Sequence, residues 1–249
     1  MPVVTANQLS FHVQLLGDPG APPLAMLHGL FIGSLAGWYF TAAPALARRH
    51  RVLVYDLRGH GRSERARSGY DTVTMADDLD ALLGSTRPVT LVGHSYGALV
   101  ALRFALSRPG QVARLVLVEP PLPPSRAGEI ASFVRLPPEE MARALPEPLR
   151  AQLGGRAGRL LVERLAFLAG ETTVLEDLAR EADPSPEELD GLACPTLVVN
   201  GTASSLRDAG ERLARALPDG AHVLLPGGHF LPSESPDALT LILEGFCDG

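Results

Sequence analysis

Val89-Thr90-Leu91-Val92-Gly93-His94-Ser95-Tyr96-Gly97 decides the reading of this chain. An apolar, partly β-branched run leads into Gly-x-Ser-x-Gly, and Ala98 to Leu106 then continues as an apolar helix. Strand, tight turn and helix in that order make the pattern of a nucleophile elbow. The turn is so sharp that strand and helix backbones nearly touch, which demands small residues at Gly93 and Gly97. The same strain lifts the hydroxyl of Ser95 out of the sheet edge, beside a helix N-terminus. A Gly/Ser pentapeptide is weak by itself. Its flanking strand and helix give it weight, because they are the context the motif requires.

Outward from the elbow the chain alternates. Leu9 to Leu16 reads as a strand ending in the turn Gly17-Asp18-Pro19-Gly20. Short apolar runs follow at Leu24 to Leu27, Val52 to Tyr55, Val89 to Val92, Leu115 to Val118, Thr196 to Val199 and Val223 to Leu225. These are too uniformly apolar for strands with one wet face, so they suit a parallel sheet covered on both sides. Helical spacing separates them at Thr72 to Leu83, with Thr72 or Thr74 as cap, and at Tyr96 to Leu106, Asp208 to Leu217 and Asp237 to Phe246. The predicted fold class is α/β, a doubly wound and mostly parallel sheet. In such sheets function collects at the carboxyl ends of the strands.

One stretch breaks the alternation. From Pro120 to Leu192 no strand is convincing. It opens with Pro120, Pro121, Pro123 and Pro124. Helical patches follow around Glu139 to Leu145, Leu160 to Leu168 and Val174 to Ala182, and Pro184-Ser185-Pro186 closes it. The expected organisation is a core of residues 1–119 and 193–249 with a helical lid or cap at 120–192, hinged at its proline-rich ends.

Composition narrows the classes. A chain of 249 residues with 46% hydrophobic residues can bury a large core. No apolar run reaches bilayer-spanning length, and the N-terminus lacks a signal-peptide pattern, so the expected location is cytoplasmic with no membrane partner. The net charge of −6 argues against nucleic acid as a partner. All 22 basic residues are arginine, which excludes Schiff-base chemistry and a P-loop lysine. Cys194 and Cys247 have no metal-ligand spacing and read as reduced core residues. No metal or organic cofactor is implied, and oligomeric state is not readable.

Ser95 is a weak nucleophile without a base in reach and a third group to orient that base. The histidines after it are His222 and His229. His229 follows Pro226-Gly227-Gly228 in a loop after the last strand, where it can swing over the serine. His222 begins that strand, at the opposite edge, and reads as a surface residue. The acid commonly follows the strand before the last, yet Gly201-Thr202-Ala203-Ser204-Ser205 holds no carboxylate. Asp208 is one alternative. Glu119, closing Leu115 to Val118, is the preferred one, because a carboxylate ending so apolar a run is costly unless paired. A serine–histidine dyad is the third possibility. Two backbone N–H groups would form an oxyanion hole, from Tyr96 and from Leu30 in the loop after Leu27. His28, His94 and the loop Asp56 to Ser63 read as structural.

Together His28-Gly29, Asp56-Leu57-Arg58-Gly59-His60-Gly61-Arg62-Ser63, Gly93 to Gly97 and Gly228-His229-Phe230 resemble the α/β-hydrolase superfamily over most of the chain. The resemblance implies a Ser95–His229–acid triad and a helical lid between the sixth and seventh sheet strands. Ser204 departs from it, standing where most members carry aspartate. Some members, including a branch of the haloalkane dehalogenases, place the acid after the sixth strand, and Glu119 matches that position. The dehalogenases themselves are excluded, since their nucleophile is aspartate. The leading expectation is a serine hydrolase cleaving an ester, thioester or lactone of a small, largely apolar acyl substrate through an acyl-enzyme. One alternative is a C–C bond hydrolase, lyase or cyclase of a polyketide-like biosynthetic pathway. The other is a non-catalytic ligand-binding homologue.

Overall fold

The computed structural model describes residues 2–86, 88–121, 136–143, 150 and 155–249. Its centre is a sheet in the order β1-β2-β4-β3-β5-β6-β7-β8. The strands are β1 (Val3–Ala6), β2 (Leu9–Leu16), β3 (Pro23–Leu27), β4 (Arg51–Tyr55), β5 (Val89–His94), β6 (Val112–Val118), β7 (Thr196–Gly201) and β8 (Gly220–Leu225). The β1–β2 and β2–β4 pairs are antiparallel and all others parallel. The expected α/β class holds. The added edge strand β1 had no sequence signal, being short and largely exposed.

The uniform apolarity of the central strands has a direct cause. Successive strand side chains point to opposite faces, and here both faces are covered. Leu91, Leu115, Leu117 and Val198 enter one core, while Val92, Val116, Val118 and Val199 enter the other. Helices α3 (Thr72–Leu83) and α4 (Tyr96–Ser107) cover the first face with Met75, Leu79, Ala98 and Leu102. Helices α1 (Ala36–Tyr39) and α2 (Ala43–Leu46) cover the second with Trp38, Ala43 and Leu46. The cap of α3 is Asp71 rather than Thr72 or Thr74. Its carboxylate accepts the Thr74 N–H at 2.8 Å and the Thr74 hydroxyl at 2.7 Å. Aspartate is the stronger N-cap, and it leaves threonine to the first turn.

Between β6 and β7 the described residues form helices and no strand. They are α5 (Pro138–Arg143), α6 (Arg156–Glu171), α7 (Val174–Arg180) and α8 (Pro186–Asp190). Pro123, Pro124 and the end of the helical patch at Leu145 lie outside the described residues. Leu161, Leu165 and Leu168 of α6 and Leu178 of α7 are buried in the first core. Pro184-Ser185-Pro186 leads directly into a helix. Ser185 and Glu188 form a capping box and Pro186 opens α8, a use of proline that fits the first helical turn. After β7 come α9 (Arg207–Ala216), α10 (Leu231–Glu234) and α11 (Pro236–Asp248). Leu239, Leu243 and Cys247 of α11 complete the second core.

Register aligns the strand ends. His94 pairs with Val118, Val118 with Val199 and Val199 with Val223. The ladder runs one step further, since Ser95 N–H donates to Val118 O and Glu119 N–H to Val199 O, each at 2.8 Å. Ser95, Glu119 and Asn200 therefore stand side by side at one edge of the sheet.

Candidate active site

Ser95 sits at φ +54° and ψ −125°, outside the regions open to most side chains. The glycines around it are forced. A Cβ on Gly97 would lie 2.5 Å from the His28 carbonyl oxygen, and one on Gly93 would clash with the Gly97 carbonyl. Phe31 (φ +68°) and Glu119 (φ +53°) share this strain. All three sit just past the carboxyl ends of β3, β5 and β6, where strained backbone clusters at functional sites.

His229 lies in the loop after β8. Its Nε2 is 2.9 Å from Ser95 Oγ, and its Nδ1 is 3.2 Å from Glu119 Oε2. The loop is held at both ends of the ring. His94 Nε2 donates to the His229 carbonyl at 2.8 Å, and Gly228 N–H donates to Glu234 at 2.6 Å. The ring edge of Phe230 packs on the imidazole with centroids 5.2 Å apart.

Glu119 is 0% exposed. An ionised carboxylate so placed must be fully hydrogen-bonded, and it is. Oε1 accepts from Gly201 N–H at 2.6 Å and from the Asn200 amide at 3.2 Å. Oε2 accepts from Ser204 at 2.6 Å as well as from His229. Burial pushes this carboxyl up. Hydrogen bonds from His229, Ser204 and Gly201 outweigh burial and hold it below the ordinary 4.5. Ser204 Oγ itself accepts the Leu206 N–H at 3.0 Å, so its own proton faces Glu119. Asp208 is not brought to this cluster. It lies in the first turn of α9, its side chain 70% exposed and paired with Arg207.

The loop after β3 lies against the serine. A Cβ on Gly29 would stand 3.1 Å from Ser95 Cβ. Phe31 N–H donates to His60 Nε2 and Ile32 N–H to Leu30 O, at 2.9 Å each. Those two donors are spent within the protein, and the Leu30 N–H is not one of them. Tyr96 opens α4, and first-turn N–H groups have no intrahelical acceptor. His28 accepts Leu57 N–H on Nε2 and donates from Nδ1 to Gly29 O. Burial lowers the pKa of His28 to about 4 and of His94 to about 3, so both rings are neutral braces. Asp56 fastens the same region, accepting from Leu35 N–H, Arg62 N–H and His12. Arg58 makes a two-pronged pair with Asp78 at 2.7 Å.

The helices between β6 and β7 are tied to this edge. Arg164 of α6 donates to Gly33 O at 2.7 Å. Glu181, just past α7, accepts the Tyr96 hydroxyl at 2.8 Å, and Asp177 accepts Tyr70 N–H at 2.9 Å. Sequence reasoning missed Asn200 and Ser204 as partners of Glu119. It also misplaced His222, which is half-buried in β8 with Nε2 3.0 Å from Asn200 Oδ1. Among the described residues no group of three or more His, Cys, Asp or Glu side chains could hold a metal ion. No helix among them is long and apolar enough to cross a membrane.

A doubly wound sheet with an elbow serine at the end of β5 defines a class, and comparison with known proteins agrees. The profile of the Alpha/beta hydrolase family matches residues 24–240, and the chain belongs to that family. It is similar to the sn-1-specific diacylglycerol lipase ABHD11 of Mus musculus, 31% identical over 94% of this chain and 85% of the relative. It is also similar to RutD of Klebsiella pneumoniae (strain 342), which carries the name of a carbamate hydrolase, 32% identical over 93% of this chain and 92% of that one. Among solved structures, esterase RhEst1 from Rhodococcus sp. ECU1013 superposes with a TM-score of 0.78 at 26% identity, covering 99% of this chain and 98% of that one. The chain is thus a hydrolase-family enzyme.

Proposed function

We propose that the chain is a serine hydrolase that cleaves an ester, thioester or lactone of a small, largely apolar acyl group through an acyl-enzyme. The observation that supports this best is the unbroken hydrogen-bonded line from Ser95 Oγ through His229 to Glu119. His229 Nε2 takes the Ser95 proton as Oγ attacks the carbonyl carbon. The carbonyl oxygen becomes an anion facing the N–H groups of Leu30 and Tyr96, with the N-terminal end of α4 adding its dipole. Collapse expels the alcohol or thiol, which takes the proton from His229. With a lactone the leaving hydroxyl stays attached to the acyl chain. Water then attacks by the same route, releasing the acid and restoring the Ser95 hydroxyl. Glu119 remains ionised throughout, holding the imidazole in one tautomer and stabilising its cation.

Residues 120–192 act in this reading as a cap over the site. The anchors from Arg164 and Glu181 to the loops beside Ser95 support that role. Leu30, Phe31 and Ile32 in the loop that lies against Ser95, and Phe230 on the His229 ring, are apolar and favour an apolar acyl part. The similarity to RutD makes carbamates the second acyl class to assay, by the same steps.

The test is intact mass after incubation with an activated aryl phosphonate, on the native chain and on Ser95→Ala. A single adduct on the native chain that is missing from Ser95→Ala is the expected result. No adduct, or one that survives Ser95→Ala, overturns the proposal.

A further inference from the structure

Glu119 reaches His229 from the end of β6, while the other groups that hold its carboxylate belong to β7 and the loop after it. Asn200 is the least expected of them. Its amide is 0% exposed, a costly place for a polar group unless each end is paired. Helix α9 makes room for it, since a Cβ on Gly210 would overlap Asn200 Oδ1.

The chemistry of the partners fixes the sense of every bond. A carboxylate only accepts, so Asn200 must turn its NH2 toward Glu119 Oε1. Oδ1 then faces the other way, toward His222 Nε2 at 3.0 Å. A carbonyl oxygen also only accepts, so His222 must carry its proton on Nε2. The carboxylate thus sets the sense of the amide from one end, and the Nε2–H of His222 holds it from the other.

We infer that Asn200 and His222 are a pair of positioning residues for the reaction. His222 locks the Asn200 amide, Asn200 locks the Glu119 carboxylate, and the carboxylate aims His229. A directional chain of hydrogen bonds thus runs from the outer strand β8 to the nucleophile, crossing β7 and β6. Glu211 and Arg215 of α9 and Glu119 are the charged groups that face His222. Its Nε2–H donates in the neutral and the protonated ring alike, so the chain does not depend on the charge of His222. The inference rests on the reading of Glu119 as the acid partner of His229.

The experiment compares His222→Phe, His222→Gln, Asn200→Asp and Glu119→Gln on an activated aryl ester, with kcat, KM and Tm measured for each. Glutamine keeps an N–H donor at position 222 and phenylalanine does not. His222→Phe should lower kcat about 3- to 10-fold, the size of one neutral hydrogen bond, with KM little changed and Tm lowered because the buried Asn200 Oδ1 loses a partner. His222→Gln should recover most of the loss. The downfield proton resonance of His229 Nδ1–H should broaden in His222→Phe and sharpen again in His222→Gln, a readout that simple packing would not move. Wild-type kcat and an unmoved resonance in His222→Phe overturn the inference. If Glu119→Gln collapses kcat while His222→Phe and Asn200→Asp leave it intact, the chain of positioning bonds fails and the acid stands. If Glu119→Gln is itself fully active, the acid assignment fails and takes the inference with it.

Discussion

Replacing Glu119 by glutamine keeps the shape of the side chain and reverses one hydrogen bond. Oε1 would keep its two N–H partners, Gly201 and Asn200. The new amide nitrogen would then occupy the place of Oε2, 3.2 Å from His229 Nδ1, and would have to donate. His229 could accept only by moving its proton to Nε2. That nitrogen is 2.9 Å from Ser95 Oγ and could no longer take the serine proton. An acid-to-amide change of this kind in a serine triad costs about 10⁴ in kcat, or about 5 kcal/mol of barrier. Ser204→Ala provides the calibration. It removes one donor to a buried charge, worth about 1.5–3 kcal/mol, and leaves the tautomer intact.

The assay is kcat/KM for an activated aryl ester, with thermal unfolding on the same preparations. The expected order of activity is native, then Ser204→Ala, then Glu119→Gln lowest by orders of magnitude, with all three folded. A second arm moves the charge. Ser204→Asp alone sets two carboxylates about 3 Å apart, a repulsion of about 5 kcal/mol at an effective dielectric near 20, so one of them takes up a proton. Combined with Glu119→Gln, the same Ser204→Asp returns a single carboxylate to the cluster and should recover about 10² of the lost activity. A folded Glu119→Gln within about tenfold of the native rate refutes the reasoning about the tautomer.

Other perturbations test the frame around the site. Burial lowers His94 from 6.5 to about 3 and His28 from 6.5 to about 4. The unfolded chain binds those protons first, so stability is full above about pH 6.5 and falls as pH drops toward the folded values, by about 2 kcal/mol per ring between pH 7 and 5. Urea midpoints at those two pH values check this, and equal midpoints refute it. Gly97→Ala drives a Cβ to 2.5 Å from the His28 carbonyl and should cost about 3 kcal/mol or more in a denaturant titration. Gly170→Ala, in helix α6 with nothing within 4 Å, should stabilise by about 0.5–1 kcal/mol in the same titration. Asp71→Ala removes the α3 cap and should lower stability by about 1 kcal/mol, with Asp71→Asn retaining most of it.

What was legible in the sequence is what local pattern encodes. The apolar runs at β3 to β7 stand out because both faces of those strands are buried, whereas the run in β8 belongs to a largely half-exposed edge strand. The elbow stands out because only small residues fit at Gly93 and Gly97. Strand β1 gave no such signal, since most of its side chains are exposed. The cap of α3 was placed one or more residues late, because aspartate and threonine neighbours compete for the same role at Asp71-Thr72-Val73-Thr74. Glu119 was visible as a carboxylate ending an apolar strand. Asn200, Ser204 and His222 were not, because their roles come from the pairing of β6, β7 and β8, which no local pattern states.

One signal was nevertheless present. Asn200 closes the run Thr196 to Val199 as Glu119 closes Leu115 to Val118, and the parallel pairing of β6 with β7 puts two polar strand ends side by side. The physical reason they belong together is the cost of the buried charge. A carboxylate at the end of β6 can stay ionised there only if its surroundings supply donors, and they come from Asn200 and Gly201 of β7 and from Ser204 in the loop after it. An acid at position 204 would remove one of those donors and add a like charge beside Glu119. The serine at 204 is therefore the counterpart of the glutamate at 119, and each of the two residues makes sense only in the presence of the other.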